Sequence, residues 1–388
     1  MAARQEGSIK FMGTDASGKT KWLVRLYLHT DGNGKRIYTS KVVIGAERTA
    51  RQELRRMLAD RDEGILTVES KLTVNEYLDK WLSHHKTTVR PRTFENDSDM
   101  IRLYIREVLG GLPLSKLRPQ HIQEAYAALQ NREHPIGGSS IRRAHAVLHH
   151  ALEAAVRLDM IHSNPADRVD LPKVQSKPRE AMNAKEAETF LKACEMDRLG
   201  IVFLFLLTTG VRPSEALGLK WNEINLSKGT ATIRRTLHHN RTGGGYRIEE
   251  STKTEGSART VVMPAHTVEA LYTWKKRQDA FILERGADFE RLNLVFCQDN
   301  GKPIRQDNLV KRHYKPLIEH AALSDTLTLY GLRHTYVTLA LQAGVPVKVV
   351  SENIGHADIA LTLRTYSHVF TEQKEEAADR LQTFLFGA

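Results

Sequence analysis

The chain has 388 residues, 41% hydrophobic and 27% charged, which is enough apolar material for two or three domains with real cores. No run approaches eighteen consecutive apolar residues and the start, "MAARQEGSIKF", lacks the apolar stretch of a signal peptide, so neither a membrane span nor a membrane partner is expected. A formal charge of +11 points to a polyanionic partner such as nucleic acid, while Cys194 and Cys297, with no partner motif and no metal-ligand spacing, fit a reducing cytoplasm.

Residues 1–66 read as strands followed by a helix. "KWLVRLYL" alternates, with Trp22, Val24, Leu26 and Leu28 on one face and Arg25 and Tyr27 on the other. "TDGNGK" supplies a glycine-rich turn and "RIYTSKVVI" a returning strand. From Ala46 a helix lines up Ala50, Leu54, Met57 and Leu58 on one side and stops at Gly64. This segment holds 13 Lys/Arg against 8 Asp/Glu, a large share of the chain's excess charge. A small sheet with Arg25 and Tyr27 on its open face suits a DNA groove. The same pattern also describes an ordinary solvated face.

From 67 to 170 the periodicity is helical. "TVNEYLDKWL" opens with Thr73 and Glu76 at capping-box spacing and carries Val74, Tyr77, Leu78, Trp81 and Leu82 on one face. A second helix holds Phe94, Ile101, Tyr104, Ile105 and Val108 and ends at Gly110-Gly111; a third starts behind Pro119; a fourth runs from Ser140 to about Leu158. Four helices on short loops make a bundle. Arg90, Arg92, Arg142 and Arg143 are its candidates for facing DNA, although surface arginines are ordinarily just solvated. "HSNPADRVDLPKVQSKPRE", rich in Pro, Ser and charge, reads as an interdomain linker, placed at 171–177.

The remainder, 178–388, is mixed. Helices start at Asn183 and Arg198, "GTATIRRT" reads as a strand, and "YRIEESTKTEGSARTVVMP" as a β-hairpin whose turn holds Lys253. Helices then dominate to the end, where "TEQKEEAADRLQTFLFGA" is amphipathic with Ala377, Leu381, Phe384 and Leu385 on or near one face. The expected class is therefore multidomain and mainly α with small β-sheets: a sheet-plus-helix domain, a helical bundle and a mixed α+β domain.

Several familiar catalytic motifs are missing: there is no GxGxxG at a strand–helix junction, no HExxH and no GxSxG. Clustered carboxylates of the two-metal nuclease kind are missing too. What remains is a set of cations at the edges of apolar elements, and a tyrosine. Arg212 follows apolar "IVFLFLL" and Gly210 in "LLTTGVRPSEALGLKW", where Pro213 suits a first helical turn, Ser214 is a candidate cap, and Glu215 can hold the guanidinium. Alone, this reads first as a structural ion pair. Arg333 stands at the mouth of the apolar helix in "TLYGLRHTYVTLALQAG", and His356 and Tyr366 lie in "ENIGHADIALTLRTYSHV".

Taken together, TGxRxxExLxLxW, a hairpin lysine, LRHT, and GH followed by TYxH resemble the tyrosine recombinases, or phage integrase family. The likeness spans 178–388, and the small sheet domain and bundle ahead of it match integrases of temperate phages and integrative conjugative elements. The resemblance implies that Tyr366 is a nucleophile forming a 3′-phosphotyrosyl bond and that Arg212 and Arg333 clamp the phosphate. Lys253 would protonate the leaving 5′-oxygen, and His356 would hydrogen-bond the phosphate. It implies no cofactor and no metal. The implied partners are double-stranded DNA with core-type sites for bundle and catalytic domain and arm-type sites for residues 1–66, a homotetramer on DNA with an exchanged C-terminal helix, and a DNA-bending host factor and an excisionase. Within the same chemistry, an Xer-type resolvase usually lacks the extra N-terminal domain and a type IB topoisomerase acts as a monomer; a DNA-binding protein with impaired catalysis is the reading outside it.

The residue types suit the task. Charge gathers on a scissile phosphodiester in its transition state, and guanidinium forks match its oxygens. One position departs from the family pattern: three residues before Arg333, where histidine is usual, stands Tyr330. A phenol is a poor base near neutrality but a good hydrogen-bonding group. Tyr330 is therefore expected to position a phosphate oxygen or the Tyr366 hydroxyl without moving a proton, or simply to pack. His334 is expected to be a structural hydrogen-bond partner inside its helix, and His368 has no counterpart.

Overall fold

The computed structural model describes residues 7–14, 18–30, 34, 36–62, 72–174, 180–240, 244–250, 258–356, 358–366 and 382–387. Gly64, Lys253, His368, Ala377 and Leu381, all singled out above, lie outside the described residues. The chain divides into two units, Met1–Ser176 and Lys177–Ala388. Among the described residues no helix is long and apolar enough to cross a membrane.

The first unit begins with an antiparallel sheet in the order β1 (Gly7–Thr14), β2 (Thr20–Thr30), β3 (Arg36–Ile44), followed by helix α1 (Glu47–Asp62). Strand alternation governs its packing. Val24 and Leu26 are fully buried in a cluster with Ala50 and Met57 of α1, while Arg25 between them is exposed. Strand β1 was not expected from the sequence. Of its apolar residues only Ile9 packs against the core, and Phe11 and Met12 stay exposed, so it carries no clean period of two.

The bundle has its own core. Helix α2 (Val74–Thr88) starts with the expected capping box: Thr73 Oγ1 accepts the Glu76 N–H at 3.2 Å and Glu76 Oε2 accepts the Thr73 N–H at 2.7 Å. The second helical run is α3 (Pro91–Met100) and α4 (Arg106–Leu109), joined by a π-type turn at Ile101–Ile105 that leaves both isoleucines fully buried. Helices α5 (Pro119–Gln130) and α6 (Gly138–Arg157) complete the bundle around Tyr126, Leu148 and Leu152. The linker expected from "HSNPADRVDLPKVQSKPRE" is in part packed structure. Pro165–Arg168 forms a 3₁₀ turn with Pro165 and Ala166 buried, and Asn164 ties it down by donating to the His149 carbonyl at 3.1 Å. Composition gave the wrong answer there because an asparagine cap and two small apolar residues outweigh the polar neighbours.

The second unit is built around α8 (Gly200–Thr209), a helix apolar on every side and therefore central. Before it lies α7 (Ala184–Cys194), capped by Asn183, and after it α9 (Pro213–Gly218). Strands β4 (Ile224–Asn225), β5 (Thr230–Ile233) and β8 (Arg259–Val262) form one antiparallel sheet; β6 (Arg235–His239) and β7 (Tyr246–Glu250) form another. The strands flanking Lys253 thus pair away from each other, which corrects the hairpin expected over 246–264. Each finds its apolar partner elsewhere: buried Ala231 opposes buried Val261, and Leu237 opposes Ile248. Helices α10 (Ala265–Arg285), α11 (Gln306–Leu309) and α12 (Lys315–His320) follow, and then α13 (Gly331–Gln342), α14 (Val347–Ile354) and α15 (Ile359–Thr365). Helix α13 joins two cores. Leu332 belongs to the large one around α8, and Val337 and Leu341 to a smaller one with Val350, Ile354 and Tyr366. Cys194 and Cys297 are buried free thiols that burial pushes up to about 12 and about 11, so neither is a reactive thiolate.

Candidate active site

The site begins where α8 ends. Gly210 closes that helix in the left-handed region at φ 65°, and a Cβ there would stand 2.2 Å from the Tyr336 ring, so both conformation and space require glycine. Two residues on, Arg212 is the N-cap of α9 with Pro213 at the first turn. Its backbone N–H donates to Glu215 Oε2 at 2.9 Å and its Nη1 to Glu215 Oε1 at 2.8 Å. The cap partner is therefore Glu215 and not Ser214.

Glu215 is 3% exposed and serves a second cation. Arg259, on β8, donates from Nη2 to Oε2 at 2.7 Å and from Nη1 to Oε1 at 3.2 Å, while its Nε reaches the Asn353 carbonyl at 2.6 Å. Burial alone would raise the Glu215 carboxyl, but the hydrogen bonds and charge of Arg259, with help from Arg212, hold it below the ordinary carboxylate range. One buried carboxylate thereby binds the first arginine and Arg259 on β8, and Arg259 in turn reaches the end of α14. Arg259 was not singled out from the sequence. Its signal was legible as a cation two residues from inward-facing Val261, hence on the inward face of a strand.

Arg333 lies on α13 and is 2% exposed. Its Nη1 donates to the Gly210 carbonyl at 2.8 Å, and its Nη2 is buried without a hydrogen-bond partner. Burial first, and then the charge of Arg212, pull its guanidinium down to about 10, which still leaves it protonated at neutrality. An unsatisfied guanidinium N–H beside a second arginine is costly in an empty site and is relieved by an oxyanion. Arg212, half-buried, meets the desolvation cost through Glu215 and the Tyr330 hydroxyl, which together raise it above its usual range. Tyr330 is 42% exposed at the N-terminus of α13, within hydrogen-bonding reach of Arg212. Arg212, Tyr330 and Arg333 are thus brought together.

The other half of the site hangs on α14 and α15. Gly355 ends α14 at φ 68°, which turns the chain so that His356, half-buried, places Nδ1 2.8 Å from Thr362 Oγ1. Tyr366 caps the C-terminus of α15, its N–H donating to the Thr362 carbonyl at 3.0 Å, and its side chain is 4% exposed. The Tyr366 hydroxyl lies 2.5 Å from His334 Nδ1. The hydrogen bond expected of His334 inside its own helix is instead found across to the end of α15, with Tyr366. The sequence held one hint: Tyr330 and His334 are four apart, hence on one helix face.

The candidate DNA-binding residues fall in separate places. Arg25 sits 4.1 Å above the Tyr38 ring, and Tyr27 packs against the same ring at 5.7 Å, so both share the sheet face turned away from α1. In the bundle, Arg90 caps α3 and Arg92 pairs with Glu95 at 3.5 Å. Arg142 and Arg143 lie near the start of α6, exposed, with Arg142 Nε donating to the Pro172 carbonyl at 2.8 Å.

Residues 180–373 match the phage integrase family, and residues 73–130 match the phage integrase N-terminal SAM-like domain. An integrase of Streptomyces ambofaciens is 28% identical over 353 residues, covering 90% of this chain and 89% of its own. A tyrosine recombinase XerC-like protein of Caldanaerobacter subterraneus is also 28% identical, covering 94% and 96%. The fold is shared with the Tn1549 transposon integrase solved with transposon right end DNA, at 22% identity and a TM-score of 0.67 over 80% of this chain and 99% of that one.

Proposed function

The chain belongs to the phage integrase family, and from that membership we propose that it integrates and excises a mobile element or prophage by cutting and rejoining double-stranded DNA through Tyr366. The Tyr366 hydroxyl oxygen attacks the scissile phosphorus, the bond to the 5′-oxygen breaks, and a 3′-phosphotyrosyl ester remains. Lys253 gives the leaving 5′-oxygen its proton. Arg212 and Arg333 hold the two non-bridging oxygens, and His356 donates to the same phosphate. A tyrosyl ester lies close in energy to the diester it replaces, so a 5′-hydroxyl from another strand reverses the step without ATP.

The observation that carries this reading is the buried, unpartnered Nη2 of Arg333 beside Arg212. Donors already fixed by α9 and α13 need little reorganisation when charge develops on a phosphate between them. Tyr330 helps to hold Arg212 or a phosphate oxygen and moves no proton. For the rest of the chain, the sheet face bearing Arg25, Tyr27 and Tyr38 takes arm-type DNA. The bundle takes the core site with Arg90, Arg92, Arg142 and Arg143. Four copies act together, with a DNA-bending host factor and an excisionase setting direction.

The test is covalent capture. Full-length protein is incubated with nicked duplexes of randomised core sequence, which trap the cleaved state by losing a short 5′ fragment. The expected result is an adduct that survives detergent and is lost in Tyr366→Phe. Equal capture by that variant, or none by the wild type, would remove the proposal.

A further inference from the structure

We propose that His334 takes the proton Tyr366 loses as it attacks DNA. The inference rests on the reading of Tyr366 as the nucleophile. His334 Nδ1 and the Tyr366 hydroxyl are 2.5 Å apart, with ring centroids at 5.8 Å. Both side chains are buried, at 7% and 4% exposure. His334 directly follows Arg333 on α13, so the residue that meets the phosphate and the residue that meets the attacking oxygen are consecutive. The helix fixes both. The next residue, Thr335, is fully buried and accepts the Met182 N–H at 3.0 Å while donating to the Gly331 carbonyl at 3.0 Å.

The chemistry follows from the side chains around the imidazole. From α13 it meets Tyr330, ring centroids 5.3 Å apart, and from the end of α15 it meets Tyr366; Arg333 precedes it in the helix. Arg212 on α9 lies beyond Tyr330. A tyrosine hydroxyl donating to Nδ1 places the imidazole proton on Nε2 and leaves the ring neutral. As the bond from the Tyr366 oxygen to phosphorus forms, its O–H bond breaks and the proton passes to Nδ1. The bond to the 5′-oxygen breaks, and that oxygen takes a proton from Lys253. On rejoining, the imidazolium returns its proton to the tyrosine. An imidazole, with an ordinary pKa of about 6.5 in model peptides, suits this exchange near neutrality far better than a phenol, at about 10.

The experiment uses full-length protein and the nicked duplexes that the wild type captures from the randomised pool, resynthesised as single sequences. His334→Asn sets an amide oxygen near the place of Nδ1, keeping hydrogen-bond acceptance without basicity; His334→Ala removes both. With wild-type DNA affinity and thermal unfolding, His334→Asn is expected to form the adduct about a hundredfold more slowly at neutral pH, the gap closing as rising pH ionises the tyrosine. A rate within about threefold of wild type, or a deficit of equal size at every pH, overturns the proposal. Should the variants fold poorly, the imidazole nitrogen resonances of the wild type decide. The expected signature is a neutral ring with the proton on Nε2 and an Nδ1 shift that moves in Tyr366→Phe; a ring protonated on Nδ1 overturns it. Capture failing in the wild type itself removes the nucleophile reading and this inference with it, an outcome distinct from a selective loss in the His334 variants.

Discussion

Arg333 donates from Nη1 to the backbone carbonyl of Gly210, a hydrogen bond of 2.8 Å across 123 residues of chain. Gly210 lies two residues before Arg212, so the bond joins the turn that carries one arginine to the helix that carries the other. The Arg333 guanidinium is therefore anchored to the backbone turn that carries Arg212. The arrangement leaves Arg333 Nη2 unsatisfied in the interior, which is tolerable where an anion is to arrive.

Gly210→Ala is expected to damage both stability and cleavage. The new Cβ would lie 2.2 Å from the Tyr336 ring in a residue at φ 65°. Overpacking of this kind costs about 1–3 kcal/mol, and the left-handed backbone adds about 1 kcal/mol. Urea unfolding should show the loss, and adduct formation should fall even where the variant stays folded, because the Gly210 carbonyl moves from Arg333. Wild-type values in both would mean that Tyr336 swings aside freely.

Glu215 makes the catalytic unit acid-sensitive. Its burial favours the neutral acid, yet Arg259 and Arg212 hold its folded pKa below the ordinary value of 4.5. A depressed folded pKa contributes stability that is present above the unfolded value and is lost as pH falls through the folded one. Glu215→Gln leaves two guanidiniums without their counter-charge and should cost about 3–5 kcal/mol near neutrality. The gap between wild type and variant should narrow steadily below pH 4.5. Denaturant unfolding at stepped pH measures it, and a constant gap would show that the carboxylate stays paired throughout.

Tyr330→Phe removes a hydroxyl that reaches Arg212 from a 42% exposed ring. Solvent shares that contact, so the expected effect is modest, roughly tenfold in single-turnover cleavage, in line with a partly screened hydrogen bond to a charge. Because the hydroxyl moves no proton, the pH profile should keep its shape. A changed profile would give Tyr330 the base's role.

How much of this was legible in the sequence depends on the range of the interaction. Signals within one turn or strand held: the Thr73–Glu76 capping box, the alternation that buries Val24 and Leu26, and the all-apolar α8. The motif order that led to Arg212, Arg333, His356 and Tyr366 was equally visible. What failed was pairing between distant segments. Nothing in "YRIEE" or "ARTVV" says that one strand joins β6 and the other β5, since both orders bury apolar residues. Asn164 fixes a segment whose composition reads as linker, because one side chain's hydrogen bonds decide the matter. The meeting of His334 and Tyr366 depends on how α13 and α15 pack, which helical periodicity alone does not state.

Arg333→Lys separates charge from shape. The guanidinium uses one arm on Gly210 and keeps the other for a phosphate. An ammonium is a single point with no fork, so a lysine that satisfies the carbonyl turns away from the phosphate, and one that meets the phosphate abandons the turn. Burial and the neighbouring Arg212 already lower the Arg333 guanidinium to about 10; a lysine, starting lower, would be pushed toward neutrality. The loss expected is about 10²–10³-fold in adduct formation, the scale for removing one preorganised donor to an oxyanion. Unlike the loss expected in His334→Asn, it should ease as pH falls and the lysine gains its proton. Rates measured from pH 6 to 9, on the order of three units around neutrality, distinguish the two. A lysine variant as fast as wild type would mean that any cation serves here, and that the geometry binding Arg333 to Gly210 is structural alone.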